Sequence, residues 1–232
     1  MMRNTLAVFK NQFNEFIADK EQLMLFVLFP GLAFFQARIA DLDEGVYPYQ
    51  IAIVFAAMFA STVMVMLIPP IVAEHRENGS LRFMVMSGIK PLSYLSGIGG
   101  FFIILNLLVG FYFAWLGAFS GVALVNFLLG VLLGVICSIL IGAVIGILSK
   151  NRQKAMGFSM PIGMGLAFLP IFATSLEALQ PIMNVLYLDR IANIMAAGDL
   201  AYVMNDIWVV LANVAVLVVI FAGLFKLKGL KG

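Results

Sequence analysis

Six stretches of this chain are apolar enough, over enough residues, to cross about 30 Å of hydrocarbon as helices. No other feature limits the fold as much. They run over 22–38, 50–73, 94–117, 122–148, 155–175 and 207–225. A soluble domain carries charge on about a quarter of its residues; here 11% are charged, 63% are hydrophobic and the mean hydropathy is +1.06. The chain lacks the polar residues for a water-facing shell, so the expected fold is an all-α integral membrane protein forming one transmembrane domain over 1–232. Pro30-Gly31 breaks the first span, Pro69-Pro70 lies near the end of the second, and Pro161 and Pro170 sit inside the fifth. Each such proline frees a carbonyl that a neighbouring helix must serve.

Basic residues set the orientation. Arg3, Lys10 and Lys20 precede the first span; Arg76, Arg82 and Lys90 follow the second; Lys150, Arg152 and Lys154 follow the fourth; Lys226, Lys228 and Lys231 close the chain. The alternate loops hold only Arg38 and Arg190 beside seven acids, among them Asp189, Asp199 and Asp206. Both termini are therefore expected in the cytoplasm. Ahead of the first span, Leu6, Phe9, Phe13, Phe16 and Ile17 recur at helical spacing with Lys10, Asn14 and Lys20 between them. That pattern fits an amphipathic helix over 1–20 lying in the interface; a frayed polar leader is the plainer alternative.

Several chemistries are excluded. The net charge of +2 carries no basic stripe, so no nucleic-acid partner is expected. Cys137 is the only cysteine and His75 the only histidine, which removes an intrachain disulfide, His-based metal sites and Ser-His catalysis. No phosphate loop ending in Gly-Lys-Ser/Thr occurs. The span interiors hold no Asp, Glu, Lys or Arg, the groups that ion-coupled carriers place near the midplane. Energy for any transport then has to come from a partner.

The loop after the second span is the most informative stretch. Asn78-Gly79 marks a turn, Ser80 is positioned to cap a following helix, Gly88 suits its end, and Pro91 stops it. The short helix so defined carries Leu81, Phe83, Met84, Val85 and Met86 in a charged loop. Apolar side chains there need either the lipid surface or a protein partner. The pattern Glu74-x-x-Glu77-x-Gly79-Ser80-Leu81, followed by Ser87-Gly88-x-x-Pro91, resembles the loop between the second and third helices of type-2 ABC exporter permeases. Six spans, an interfacial N-terminal helix and an apolar external segment over 176–206 before the last span fit the same family. The resemblance implies a bacterial cell-membrane permease whose loop helix docks on a separate ABC ATPase subunit, with ATP and Mg on that subunit and no cofactor in this chain. It assigns the contacts to Glu74, Arg76, Glu77, Gly79, Ser80, Leu81, Phe83 and Met84, with the basic contact falling on His75 or Arg76. It also implies that spans two and five line the path, at Phe55, Phe59, Thr62, Met66, Met160, Met164 and Phe168. The second permease is either another copy or a related chain.

Two more features belong to packing. Gly130, Gly134, Ser138, Gly142 and Gly146 stand four apart in the fourth span, where small residues let helix backbones approach closely. The stripe serves either packing within the chain or a dimer seam. Asn106 and Asn126 are polar residues inside spans three and four, each suited to a helix–helix hydrogen bond, with substrate contact as the alternative and Asn106 placed with the path residues. The segment 176–206, with Gln180-Pro181 and Tyr187-Leu188-Asp189-Arg190-Ile191, reads either as a re-entrant element in the outer leaflet or as an amphipathic helix on the surface. The leading function is an exporter permease for a hydrophobic or amphipathic drug, peptide or lipid. An intramembrane enzyme lacks the carboxylates or histidines it needs, and a non-transporting scaffold or sensor partner is the alternative.

Overall fold

The computed structural model describes residues 16, 20–40, 47–88, 90–199 and 203–229. Its long elements are α1 (Lys20–Ala40), α2 (Pro48–Glu77), α4 (Pro91–Leu116), α5 (Gly121–Leu148), α6 (Arg152–Ser175) and α9 (Met204–Gly229). Short helices α3 (Ser80–Met86), α7 (Gln180–Val185) and α8 (Tyr187–Ala196) lie between them, with a 3₁₀ turn at Glu177–Leu179. The six long helices are each apolar and long enough to cross a membrane, and the chain is an all-α integral membrane protein. Backbone N–H and C=O groups in lipid have no water to bond, which leaves the helix as the way to satisfy them within one segment. Most of the proposed interfacial helix over 1–20 lies outside the described residues. Of its apolar face only Phe16 is described; it is buried edge-on against Phe26, Phe101 and Phe102.

α2 is the hub, packed most extensively on α5 and α6 and also touching α1, α4 and α8. Its 30 residues span about 45 Å at 1.5 Å each, more than the hydrocarbon needs. It therefore continues past Pro69-Pro70 to Glu77, and Glu74, His75 and Arg76 are helical rather than part of the loop. Pro70 has no N–H for the Met66 carbonyl four residues back; the Ser159 hydroxyl of α6 approaches that oxygen at 3.5 Å.

The small-residue stripe of α5 is filled from within the chain, by two different elements. A Cβ on Gly142 would lie 2.8 Å from Met64 O, and one on Gly146 would lie 2.8 Å from Pro69 O, so this half is pressed on the α2 backbone. A Cβ on Gly130 would meet Ile191 O at 3.0 Å and Met195 Cγ at 2.6 Å, and one on Gly134 would meet Ile191 Cδ1 at 2.9 Å. That half receives α8. Ser138, between the two, places its hydroxyl 2.7 Å from Ala60 O and 3.4 Å from the Tyr187 hydroxyl. Tyr187, Ile191, Ile194 and Met195 are buried, so one face of α8 packs on α5 and α9.

Asn126 reaches across elements, donating from Nδ2 to Ala197 O at 3.0 Å. Asn106 does not: its Nδ2 donates to Phe102 O of its own helix at 2.7 Å. A carbonyl one turn back is the nearest acceptor to an asparagine on a helix, and it wins here. The two ends of the bundle differ in chemistry. One carries Arg76, Arg82, Lys90, Lys150, Arg152, Lys154 and Lys226. The other carries the stacked pair Tyr47 and Tyr49 together with exposed Trp115 and Trp208, the residue types that anchor helices at a headgroup layer.

Candidate functional site

At the basic end, the last turn of α2 is clamped to three other helices. Arg76 Nη1 donates to Ile147 O at 2.8 Å and to Ser149 O at 3.0 Å, serving carbonyls at the end of α5 that have no partner in their own helix. A guanidinium there also meets the negative end of the α5 dipole. Glu74 pairs with Arg152 at 2.7 Å, and Glu77 Oε2 accepts the Arg152 backbone N–H at 3.2 Å. Arg152 opens α6, whose start is capped by Asn151 Oδ1 accepting from the Lys154 N–H at 2.9 Å. His75 Nδ1 lies 3.0 Å from the Tyr94 hydroxyl of α4, and the Tyr94 ring packs on Phe225 near the end of α9. One helical turn thus touches the ends of α4, α5 and α6.

From this clamp the chain turns sharply into α3. The cap position is held by Gly79, not by Ser80; its φ of 71° is a left-handed conformation that glycine adopts without a Cβ penalty. Ser80 is the first helical residue, and no side chain caps the helix. The exit uses the same device at Gly88, with φ 77°, its N–H donating to Val85 O at 3.1 Å. Pro91 then occupies the first turn of α4, where its missing N–H costs nothing. α3 packs on α2 and α9.

The eight residues assigned to ATPase contact therefore divide into two sets. Glu74, Arg76 and Glu77 face α5 and α6 and hold the loop in place. Leu81 is the apolar anchor of α3 at 1% exposure, with Met84 half-buried beside it. Gly79 and Ser80 form the turn. Of the eight, Phe83 offers its apolar side chain outward, 73% exposed, and Met86 joins it at 70%. The contact set drawn from the sequence lacks Met86, as well as the Arg152, Ser149 and Tyr94 partners. The signal for Met86 was present in its position three residues after Phe83, one turn on the same face.

The path residues are not gathered into one wall. Phe59 is buried among Phe26, Phe29 and Phe113 at ring distances of 5.3 to 5.8 Å, inside the core of the chain. Thr62 is buried and Met66 partly so; both lie against Gly163 of α6. Phe55 is half-buried near Ala37 and Ile51, and Asn106 is buried in α4. Met160, Met164 and Phe168 point outward from α6. α6 does carry a stripe that the sequence reading missed. Ala155, Ser159, Gly163 and Ala167, four apart and buried, form the α6 face of a helix whose main contact is with α2.

Among curated proteins, none matches the chain. A family model described as "ABC-2 family transporter protein" matches residues 23–227, which reaches into all six long helices and covers the α2–α3 turn. The chain belongs to the ABC-2 transporter family, as a membrane transport component.

Proposed function

We propose that the chain is the membrane subunit of an exporter driven through α3 by a separate ABC ATPase. The observation that carries this reading is the pairing of Phe83 and Met86, exposed and apolar, with a turn clamped to α5 and α6 through Arg76 and Arg152. A headgroup-resting helix has no need of the clamp. A helix that must pass a push from a partner into the spans does, because displacement of α3 is carried by α2 into both neighbours. ATP and Mg sit on the ATPase; this chain supplies the path. Two permeases, as a second copy or a related chain, complete the exporter in a bacterial cell membrane, with both termini on the cytoplasmic side. The cargo is a hydrophobic or amphipathic molecule (drug, peptide or lipid), in keeping with spans free of charge.

The test is purification of the tagged full chain from its own membranes in mild detergent. An ABC ATPase is expected to co-purify, and the pair Phe83→Asp and Met86→Asp to lose it while the chain elutes as before. Retention of the ATPase by that variant would falsify the docking assignment.

A further inference from the structure

Near the aromatic end, α2, α6 and α8 enclose a half-open cavity of about 250 Å³, slightly below the range of about 300–1,000 Å³ usual for small-molecule sites. None of the path residues above lines it. Its walls are apolar, with Val54 and Met58 from α2, Ile171 from α6 and Leu188 from α8, and two polar groups, Ser61 and Asp189, break that surface. Ser61 donates its hydroxyl proton to Met58 O at 3.1 Å, which leaves its oxygen free only to accept. Two acceptors and no donor make the polar part of this cavity complementary to a donor.

Asp189 has reason to want one. Arg190, its neighbour, directs both terminal nitrogens elsewhere: Nη1 pairs with Asp206 at 2.7 Å and Nη2 donates to Asn184 O at 2.9 Å, while its buried Nε has no partner among the described residues. Among the described residues no donor reaches the Asp189 carboxylate. It is the third residue of α8, where the helix N-terminus offsets its charge in part. Burial nevertheless pushes its carboxyl above the usual value, with the nearby Arg190 charge opposing. A partly desolvated carboxylate with no hydrogen-bond donor beside an apolar wall is stabilised most by a cation that brings its own apolar body.

We propose that this cavity binds a small amphiphile with a basic head, its ammonium on Asp189 and Ser61 and its apolar part against Val54, Met58, Ile171 and Leu188. The occupant is either a free organic amine or the ammonium headgroup of a membrane lipid. Binding belongs to this chain alone and does not require an ATPase, so the site stands or falls apart from the docking of α3.

The test uses the full chain in phosphatidylcholine nanodiscs, titrated with 2-(1-naphthyl)ethylamine and followed by naphthalene fluorescence against empty discs. The alcohol and carboxylate analogues are titrated alongside. Saturable binding of the amine, stronger than that of either analogue, is expected. Asp189→Asn should weaken the amine about tenfold or more and leave the alcohol unchanged. Ala57→Leu, which narrows the cavity and keeps the charge, should abolish amine binding. Adding phosphatidylethanolamine to the discs separates the sources: competition with the amine assigns the site to the lipid headgroup, and unchanged affinity assigns it to a free amine. Equal binding of the amine to Asp189→Asn, to Ala57→Leu, or of alcohol and amine to the wild type would overturn the site.

Discussion

α5 and α6 flank the same helix and both meet it through small residues four apart, yet they meet it differently. On α5, Gly142 and Gly146 face the α2 backbone itself, at Met64 O and Pro69 O. On α6, a Cβ at Gly163 would meet Met66 Cγ at 2.9 Å and Cε at 3.0 Å, atoms of an unbranched and flexible side chain and not of the main chain. Burial follows the same division. In their apolar stretches α2 is 72% and α5 67% buried, against 22% for α6. Backbone against backbone leaves no room to adjust, whereas backbone against a methionine does. The α2–α5 pair is thus a fixed spine, and α6, beyond its clamped start at Arg152, is the wall with room to adjust against it.

The strongest way to break that comparison is to add bulk on the spine. Gly142→Val should destabilise the chain by about 3 kcal/mol, the upper part of the usual overpacking range, because the obstructing atom is a main-chain oxygen. Thermal unfolding in detergent measures it. Arg76→Ala comes next, leaving the Ile147 and Ser149 carbonyls without their charged donor, at a cost of about 1.5–3 kcal/mol. The same side of the clamp offers a contrast. Glu74→Gln removes a pair whose partners are both nearly half exposed, at 44% and 49%, and should cost at most about 1 kcal/mol. Smallest of all, Gly163→Ala should change stability by under about 1 kcal/mol, since Met66 can move aside and alanine favours the helix. Equal losses at Gly142 and Gly163 would erase the distinction between spine and wall.

Much of this frame is legible in the sequence, and the exceptions share one cause. Span count, the charged end, the Asn78-Gly79 turn and the α5 stripe are all local patterns of composition or spacing. Which face of a span is buried is not, because lipid and neighbouring helices are equally apolar and hydrophobicity carries no direction there. Phe59 in the core and Phe168 on the outside look alike as residues in apolar runs. Small-residue spacing is the remaining directional signal. It is plain on α5, with four glycines, and obscured on α6, where Pro161 interrupts a stripe containing one glycine. The use of Arg76 was hidden for a different reason. Its acceptors lie 71 and 73 residues away, and only the packing of α2 on α5 brings them together. The sequence does show a cap near Gly79, but it points to Ser80; the left-handed turn favoured the glycine.

Two exposed apolar pairs on this chain allow the account to be tested most directly. Phe83 and Met86 project from the clamped helix α3, and Met160 and Met164 from the outer face of α6. The affinity of the proposed ATPase partner for the chain in nanodiscs should fall at least about tenfold with Phe83→Ser and Met86→Ser. It should stay within about twofold, well under 1.4 kcal/mol, with Met160→Ser and Met164→Ser. Equal affinity for both variants, or loss only through α6, would contradict the claim that α3 is where the partner docks.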